Sequence, residues 1–356
     1  MYFSVNPTQA PRCLPGGPSM STFQADALPF TRRLAAGGLL FARVAVRKQA
    51  LAESWRRRTI ASYRGPHVDH EAVEPGQVHE VARIPAQACT PDVFRSIVHS
   101  GLPTVLEGAA SACAAVRTWT PESLAERYGD VPLPLWREHS SQPVRTLADC
   151  MHQMLNAGGD PKLQINNVCS LFTRHPETLQ DLPLAEFAGH MRPLRYHGAN
   201  LFVCRGGQGS KYHCANELNL FFQVYGEKEW HFVHPRHSAQ MDPLFTQPKG
   251  NYFESGVPWA QEPAGVPIGR ALLRPGDVLI NPPWWWHWVR NRGLTIGVAT
   301  RWLAWRHRFG TANPTFTALQ WLFPHQWKLM GQDYLRGGQL DEHKWVHPDR
   351  VTDSEA

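Results

Sequence analysis

A chain of 356 residues with 42% hydrophobic composition can bury one large or two ordinary cores, and 19% charged residues with 11% aromatics exclude a chain disordered as a whole. The formal charge of +6 sits in the first sixty residues, so it does not make the whole chain a nucleic-acid binder. Seven cysteines, at positions 13, 89, 113, 150, 169, 204 and 214, form no CxxC pair; their odd number and scatter exclude a disulfide framework or zinc knuckle and point to a reducing, cytoplasmic compartment.

In chain order, residues 1–65 read as a Pro- and Gly-rich tail followed by one basic helix, with Met20 as an alternative start. The helix, "TRRLAAGGLLFARVAVRKQALAESWRRR" (31–58), has an apolar side of Leu39, Leu40, Phe41, Val44 and Val46. It suits a solvated cationic face or peripheral membrane contact, and its apolar run is too short to span a bilayer. No regular interleaving of aromatics with its charges is present, which speaks against nucleic acid.

Residues 66–160 read as a helix–strand–helix unit. "TPDVFRSIVHSG" (90–101) is a Thr-capped helix ending in Gly, and the apolar strand "PTVLEG" follows it. "TPESLAERYGD" (120–130) and "RTLADCMHQMLNAGG" (145–159) are two further helices. From 161 to 305 the period shortens: "KLQINNV", "NLFVCRG", "NLFFQVYGEKEWHFVHP", "ALLRPGDVLINPP" and "LTIGVATRWLAW" are β-rich runs between Gly, Pro and Asn turns. That pattern predicts an all-β sandwich or barrel. Residues 306–356 return to helix, with Phe316, Leu319, Trp321, Leu322, Trp327 and Leu329 as an apolar set.

Chemistry concentrates in two stretches. In "GGQGSKYHCANELNLFFQVYGEKEW" (206–230), a Gly-rich turn leads to His213, with Asn219 and Lys228 following. In "RPGDVLINPPWWWHWVRN" (274–291), a strand ends at two prolines and His287 follows among four tryptophans. Converging from two strands at the open mouth of an antiparallel barrel, two imidazoles make part of a metal site. Trp284, Trp285, Trp286 and Trp288 are then expected to fix the ring, exclude water and wall the substrate space. His231, His234 and His237 do not share a face, because Pro235 and the preceding strand exclude a helix, and they read as surface or rim residues. Asp277, in a Pro-Gly-Asp turn, lies at the far end of its strand from His287.

With these motifs in order, the chain resembles the JmjC-type, or cupin-like, iron(II)- and 2-oxoglutarate-dependent oxygenases over roughly residues 80–305, in the branch related to the asparaginyl hydroxylase that inhibits hypoxia-inducible factor. The resemblance implies a mainly β fold, a double-stranded β-helix (jelly roll) with flanking amino- and carboxy-terminal helices. It implies His213 and His287 as iron ligands and Lys228 as the partner of the distal carboxylate of 2-oxoglutarate. Ser210 matches a hydroxyl residue at the same carboxylate, and Asn219 an asparagine lining that pocket. Gln164 falls where relatives carry a tyrosine. It further implies a homodimer through the carboxy-terminal helices and a substrate that is a protein side chain or a small molecule.

The chain departs from the family at one ligand. The motif is His-x-Asp or His-x-Glu, and here it is His213-Cys214-Ala215. Three readings stay open. The vacancy can hold chloride, as in the 2-oxoglutarate-dependent iron halogenases. Glu217 or Cys214 can substitute as ligand. Or the fold survives as a binding or scaffold domain, or as a simple metal-binding cupin without 2-oxoglutarate.

Overall fold

The computed structural model describes residues 18–24, 29–45, 67–69, 78–133, 145–156, 158–159, 163–190, 195–244, 252–259, 261–263 and 265–303. The carboxy-terminal segment 306–356, with the dimer contact expected there, lies outside the described residues, as does the basic stretch beyond Ala45. None of the described helices is long and apolar enough to cross a membrane.

Strands dominate. The amino-terminal half supplies β1 (His67–Asp69), β2 (Val78–Glu80), β3 (Ala82–Pro85), β4 (Thr104–Glu107), β5 (Pro132–Leu133), β6 (Arg145–Thr146) and β7 (Ile165–Val168). The second half runs through β8 (Arg195–Cys204), β9 (Gly209–Ala215), β10 (Leu218–Tyr225), β11 (Lys228–Val233), β12 (Pro243–Leu244) and β13 (Tyr252–Ser255). It closes with β14 (Gln261–Pro263), β15 (Ile268–Leu273), β16 (Val278–Asn281), β17 (Trp286–Asn291) and β18 (Thr295–Leu303).

Two seven-stranded sheets result, ordered β3-β4-β16-β10-β18-β8-β7 and β12-β13-β9-β17-β11-β15-β2. Their central strands pair antiparallel, and β8 to β11 and again β15 to β18 alternate between the sheets. This is the expected jelly roll, as a two-sheet sandwich rather than a closed barrel. Strand alternation sorts the side chains. Phe221, Leu279 and Ala299 of one sheet meet Trp230, Phe232 and Leu273 of the other in a core between the sheets. The alternate residues of the first sheet, Leu220, Phe222, Val278 and Val298, pack outward on the helical layer.

That layer consists of short, well-capped helices. Thr90 caps Pro91–Ser100 by accepting from Val93 N, and Gly101 ends it at φ 68°. Thr120 and Thr146 each form a reciprocal capping box over Pro121–Tyr128 and Leu147–Leu155. The basic segment begins as a helix, Phe30–Ala45. Its Leu40 is buried in the cluster outside the second sheet, whereas Phe30 and Leu34 face solvent. Just before it, Phe23 plugs one end of the sandwich, edge-on to Trp285 at 5.3 Å.

Candidate functional site

β9 and β17 are neighbours, and their register sets His287 opposite His213. The ring centroids stand 4.2 Å apart with planes at 57°. Each ring is oriented by its own strand: Nδ1 of His213 lies 2.9 Å from Lys211 O, and Nδ1 of His287 lies 2.9 Å from Trp285 O. A carbonyl only accepts, so each Nδ1 carries the proton and each Nε2 keeps a free lone pair. Burial pushes both imidazoles down, His213 to about 4 and His287 well below the usual histidine value, with the positive charge of Arg301 acting in the same direction. Two neutral rings with bare Nε2 atoms are what a divalent metal takes from histidine.

The third ligand position is an alanine. Ala215 ends β9 opposite Tyr252, and its carbonyl accepts from Trp284 N at 2.7 Å. Cys214 alternates with His213, so its thiol faces the apolar cluster outside the sheet, where burial pushes its pKa well up. It does not replace the carboxylate. Glu217 stands on the turn into β10, and its charge acts on Arg301. Among the described residues no three of His, Cys, Asp and Glu gather to hold a metal.

Deeper between the sheets, Lys228 opens β11 opposite Asn291 and is 2% exposed. Its Nζ lies 4.7 Å from the centroid of Phe221 and 5.6 Å from that of Phe202. Burial pushes its pKa down, with Cys204 opposing. Along the inner faces between Lys228 and the histidines, Ser210 Oγ on β9 and Trp230 Nε1 on β11 are buried without a hydrogen-bond partner, as are Asn219 Oδ1 and Asn281 Oδ1 on the histidine side. Orphaned polar atoms beside a buried ammonium are costly unless a ligand meets them. A dicarboxylate fits that need, with one end on Lys228 and Ser210 and the other toward the histidines. Gln164 sits at the Lys228 end, where its Oε1 lies 3.8 Å from Cys204 Sγ as acceptor.

The two imidazoles fit a metal that takes two protein ligands and completes its sphere from a bound carboxylate and small ligands. No described residue supplies a third protein donor.

Two expectations require correction. The tryptophan wall does not form as expected: Trp286 and Trp288 alternate with His287 and turn into the outer cluster, where Trp288 Nε1 donates to Glu262 and Trp286 Nε1 to Ser238. Trp284, at φ 67°, joins that cluster, and Trp285 donates to Gly101 O. The aromatic surface at the metal position comes instead from Trp230, stacked on His287 at 5.3 Å, and Tyr252, 5.3 Å from His213. His231, His234 and His237 are not surface or rim residues; they are 4%, 3% and 0% exposed. Asp277 keeps its turn role, accepting from Gly108 N and Arg274 N and pairing with Arg83.

Arg301 was not legible as a site residue. It lies on β18 opposite Asn219, which lies opposite Asn281 on β16. Alternation along "ATRWL" sets it on the same side as Ala299, inside the sandwich, and that period was the available signal. Tyr252 carried no such signal.

Comparison with known proteins agrees with this fold. The family model described as a cupin-like domain matches residues 90–309. Over 240 residues the chain is 23% identical to the bifunctional arginine demethylase and lysyl-hydroxylase psr-1 of Caenorhabditis briggsae, covering 61% of this chain and 60% of that protein. The chain therefore spans about three fifths of that relative's length. JmjC-type members of this fold are generally iron(II)- and 2-oxoglutarate-dependent oxygenases, and the chain belongs to the cupin-like domain family.

Proposed function

We propose that this protein binds 2-oxoglutarate between its sheets, beside a metal on His213 and His287, and oxidises a C–H bond of a protein side chain or small molecule. The observation that carries this reading is Lys228, 2% exposed against the rings of Phe221 and Phe202. A simple cupin has no use for such a lysine, whereas a dicarboxylate neutralises it. Held by His213 and His287, iron(II) would let dioxygen act as the oxidant, one oxygen atom entering succinate as 2-oxoglutarate loses CO2 and the other the C–H bond of the substrate.

The chain's own residues bind, orient and exclude water. Lys228 and Ser210 hold the distal carboxylate. Lys211 O and Trp285 O fix both imidazole tautomers. Trp230 and Phe232 keep the floor dry. Ala215 leaves room for a small anion such as chloride, with halogenation in place of hydroxylation as the outcome.

A second reading, a binding or scaffold domain that no longer turns over, is favoured by Ala215 together with the positive charge of Arg301. Iron-dependent release of succinate from 2-oxoglutarate separates the two. The enzyme reading expects release that falls at least about 100-fold in Lys228→Met, the size of losing a buried charged hydrogen bond. Absence of iron-dependent succinate in the wild-type protein, across candidate peptides and without substrate, would leave the binding domain.

A further inference from the structure

Three inward-facing polar residues form one rung across adjacent strands: Arg301 on β18, Asn219 on β10 and Asn281 on β16. This rung faces the paired histidines. Asn281 Nδ2 lies 3.4 Å from His287 Nδ1, and the charge of Arg301 acts on both imidazoles and on Tyr252. Asn219 and Asn281 are each 3% exposed and keep an unpartnered Oδ1 there. On the facing sheet, Lys228 lies on the same inner face of β11, four residues from Phe232, which pairs with His287.

The space thus has a cation at each end. Lys228 stands over the rings of Phe202 and Phe221, with the thiol of Cys204, which burial keeps protonated, as its ionisable neighbour. Arg301 is half-buried, touches Asn167 Oδ1 at 3.4 Å, and is opposed by Glu217 from the turn. A divalent metal entering alone adds charge to a space already positive, and the alanine at 215 offers it nothing. A dianion entering alone balances the two cations. Electrostatics favours the second event over the first.

We infer that Arg301 is a binding residue for the 2-oxo-acid end of the dicarboxylate, so that 2-oxoglutarate binds this chain before the metal and without it. Lys228 takes one carboxylate, Arg301 with the asparagine rung takes the other, and the filled pocket then presents an anionic donor beside His213 and His287. Metal affinity follows dicarboxylate binding by linkage, each raising the affinity of the other by the same factor. The inference rests on the proposed dicarboxylate pocket and goes beyond it in assigning Arg301 and an order of addition.

The test is calorimetric titration of 2-oxoglutarate into the full chain, once after exhaustive chelation and once with Mn(II) present. The expected result is binding to the chelated protein with an affinity within about tenfold of that with Mn(II), as for a ligand held mainly by charged side chains. Arg301→Gln is expected to lose metal-free binding by on the order of tenfold or more, and Arg301→Lys to recover part of it. Thermal unfolding of each variant checks that it is folded, and the lysine variant keeps the test valid if the glutamine variant is not.

Binding seen only with Mn(II), or Arg301→Gln binding as well as wild type without metal, overturns the inference and leaves the proposed pocket standing. No binding under either condition overturns the proposed pocket itself.

Discussion

Ala215 is the residue on which the chemistry turns. Replacing it by aspartate adds a hard anionic donor beside two neutral imidazoles. Ala215→Asp is therefore expected to raise Mn(II) affinity in the absence of 2-oxoglutarate by about tenfold or more, read by calorimetry. An unchanged affinity would mean that position 215 does not face the metal. Behind the same strands, His231 is a second residue with a measurable consequence. Its Nε2 lies 3.1 Å from Glu229 Oε1 and its Nδ1 2.7 Å from Glu262 Oε1. Tyr212 and Trp288 also donate to Glu262, while Arg290 and Arg292 hold Glu229. Burial pushes the His231 pKa down, but the hydrogen bonds and charges of the two glutamates outweigh it, and the net shift is upward. Glu229 is pushed down to about 2, first by the His231 hydrogen bond. The raised histidine stabilises fully below its ordinary 6.5 and loses that contribution as pH rises through its folded value. The depressed glutamate stabilises above its ordinary 4.5 and loses that contribution as pH falls toward 2. Urea unfolding of the wild-type protein should thus show stability declining above pH 6.5. His231→Asn should flatten that decline and cost roughly 3 kcal/mol near neutral pH, since it strands two buried carboxylates. An equal alkaline slope in both proteins would remove His231 from the account.

The element that positions the site is the β9–β17 pair. Gly209 opens β9 so close to its partner that an added Cβ would lie 1.8 Å from Val289 O. Gly209→Ala must push the strands apart beside Ser210. It should lower stability by about 2 kcal/mol or more and weaken 2-oxoglutarate binding as well. Full affinity in a destabilised variant would detach Ser210 from the ligand. At this scale the sequence was legible where local chemistry decides. The Thr-capped helices at 90 and 120, and the runs that became β10, β11, β16 and β18, carry their own period and stop signals. His213 and His287 were legible because motif spacing fixes register. The tryptophan wall was misjudged for a reason present in "WWWHWV": if His287 points inward, period-two alternation sends Trp286 and Trp288 outward. The burial of His231 was not legible, because Glu262 of the distant β14 neutralises it. The parallel pairing of β2 with β15 likewise depends on residues nearly two hundred positions apart.

At the scale of the whole molecule, the sandwich explains why a ligand should matter to stability. Its interior holds Lys228, Asn219, Asn281 and several unpartnered polar atoms, all unfavourable in a dry core without an occupant. A ligand that binds only the folded state stabilises it by mass action, about 2.7 kcal/mol at one hundred times its Kd. A thermal melt of the chelated protein should therefore shift upward with 2-oxoglutarate, and the shift should vanish in Lys228→Met. A shift that persists in Lys228→Met would place the ligand elsewhere.

The central claim is that His213, His287 and the Lys228 pocket form one site in which metal and dicarboxylate meet. Anaerobic titration of the purified protein with iron(II) and 2-oxoglutarate, following the visible metal-to-ligand charge-transfer band, tests it most directly. The account predicts a band that needs both additions and is lost in His213→Ala and in Lys228→Met. No band with both additions present, in a protein that remains folded, would contradict it.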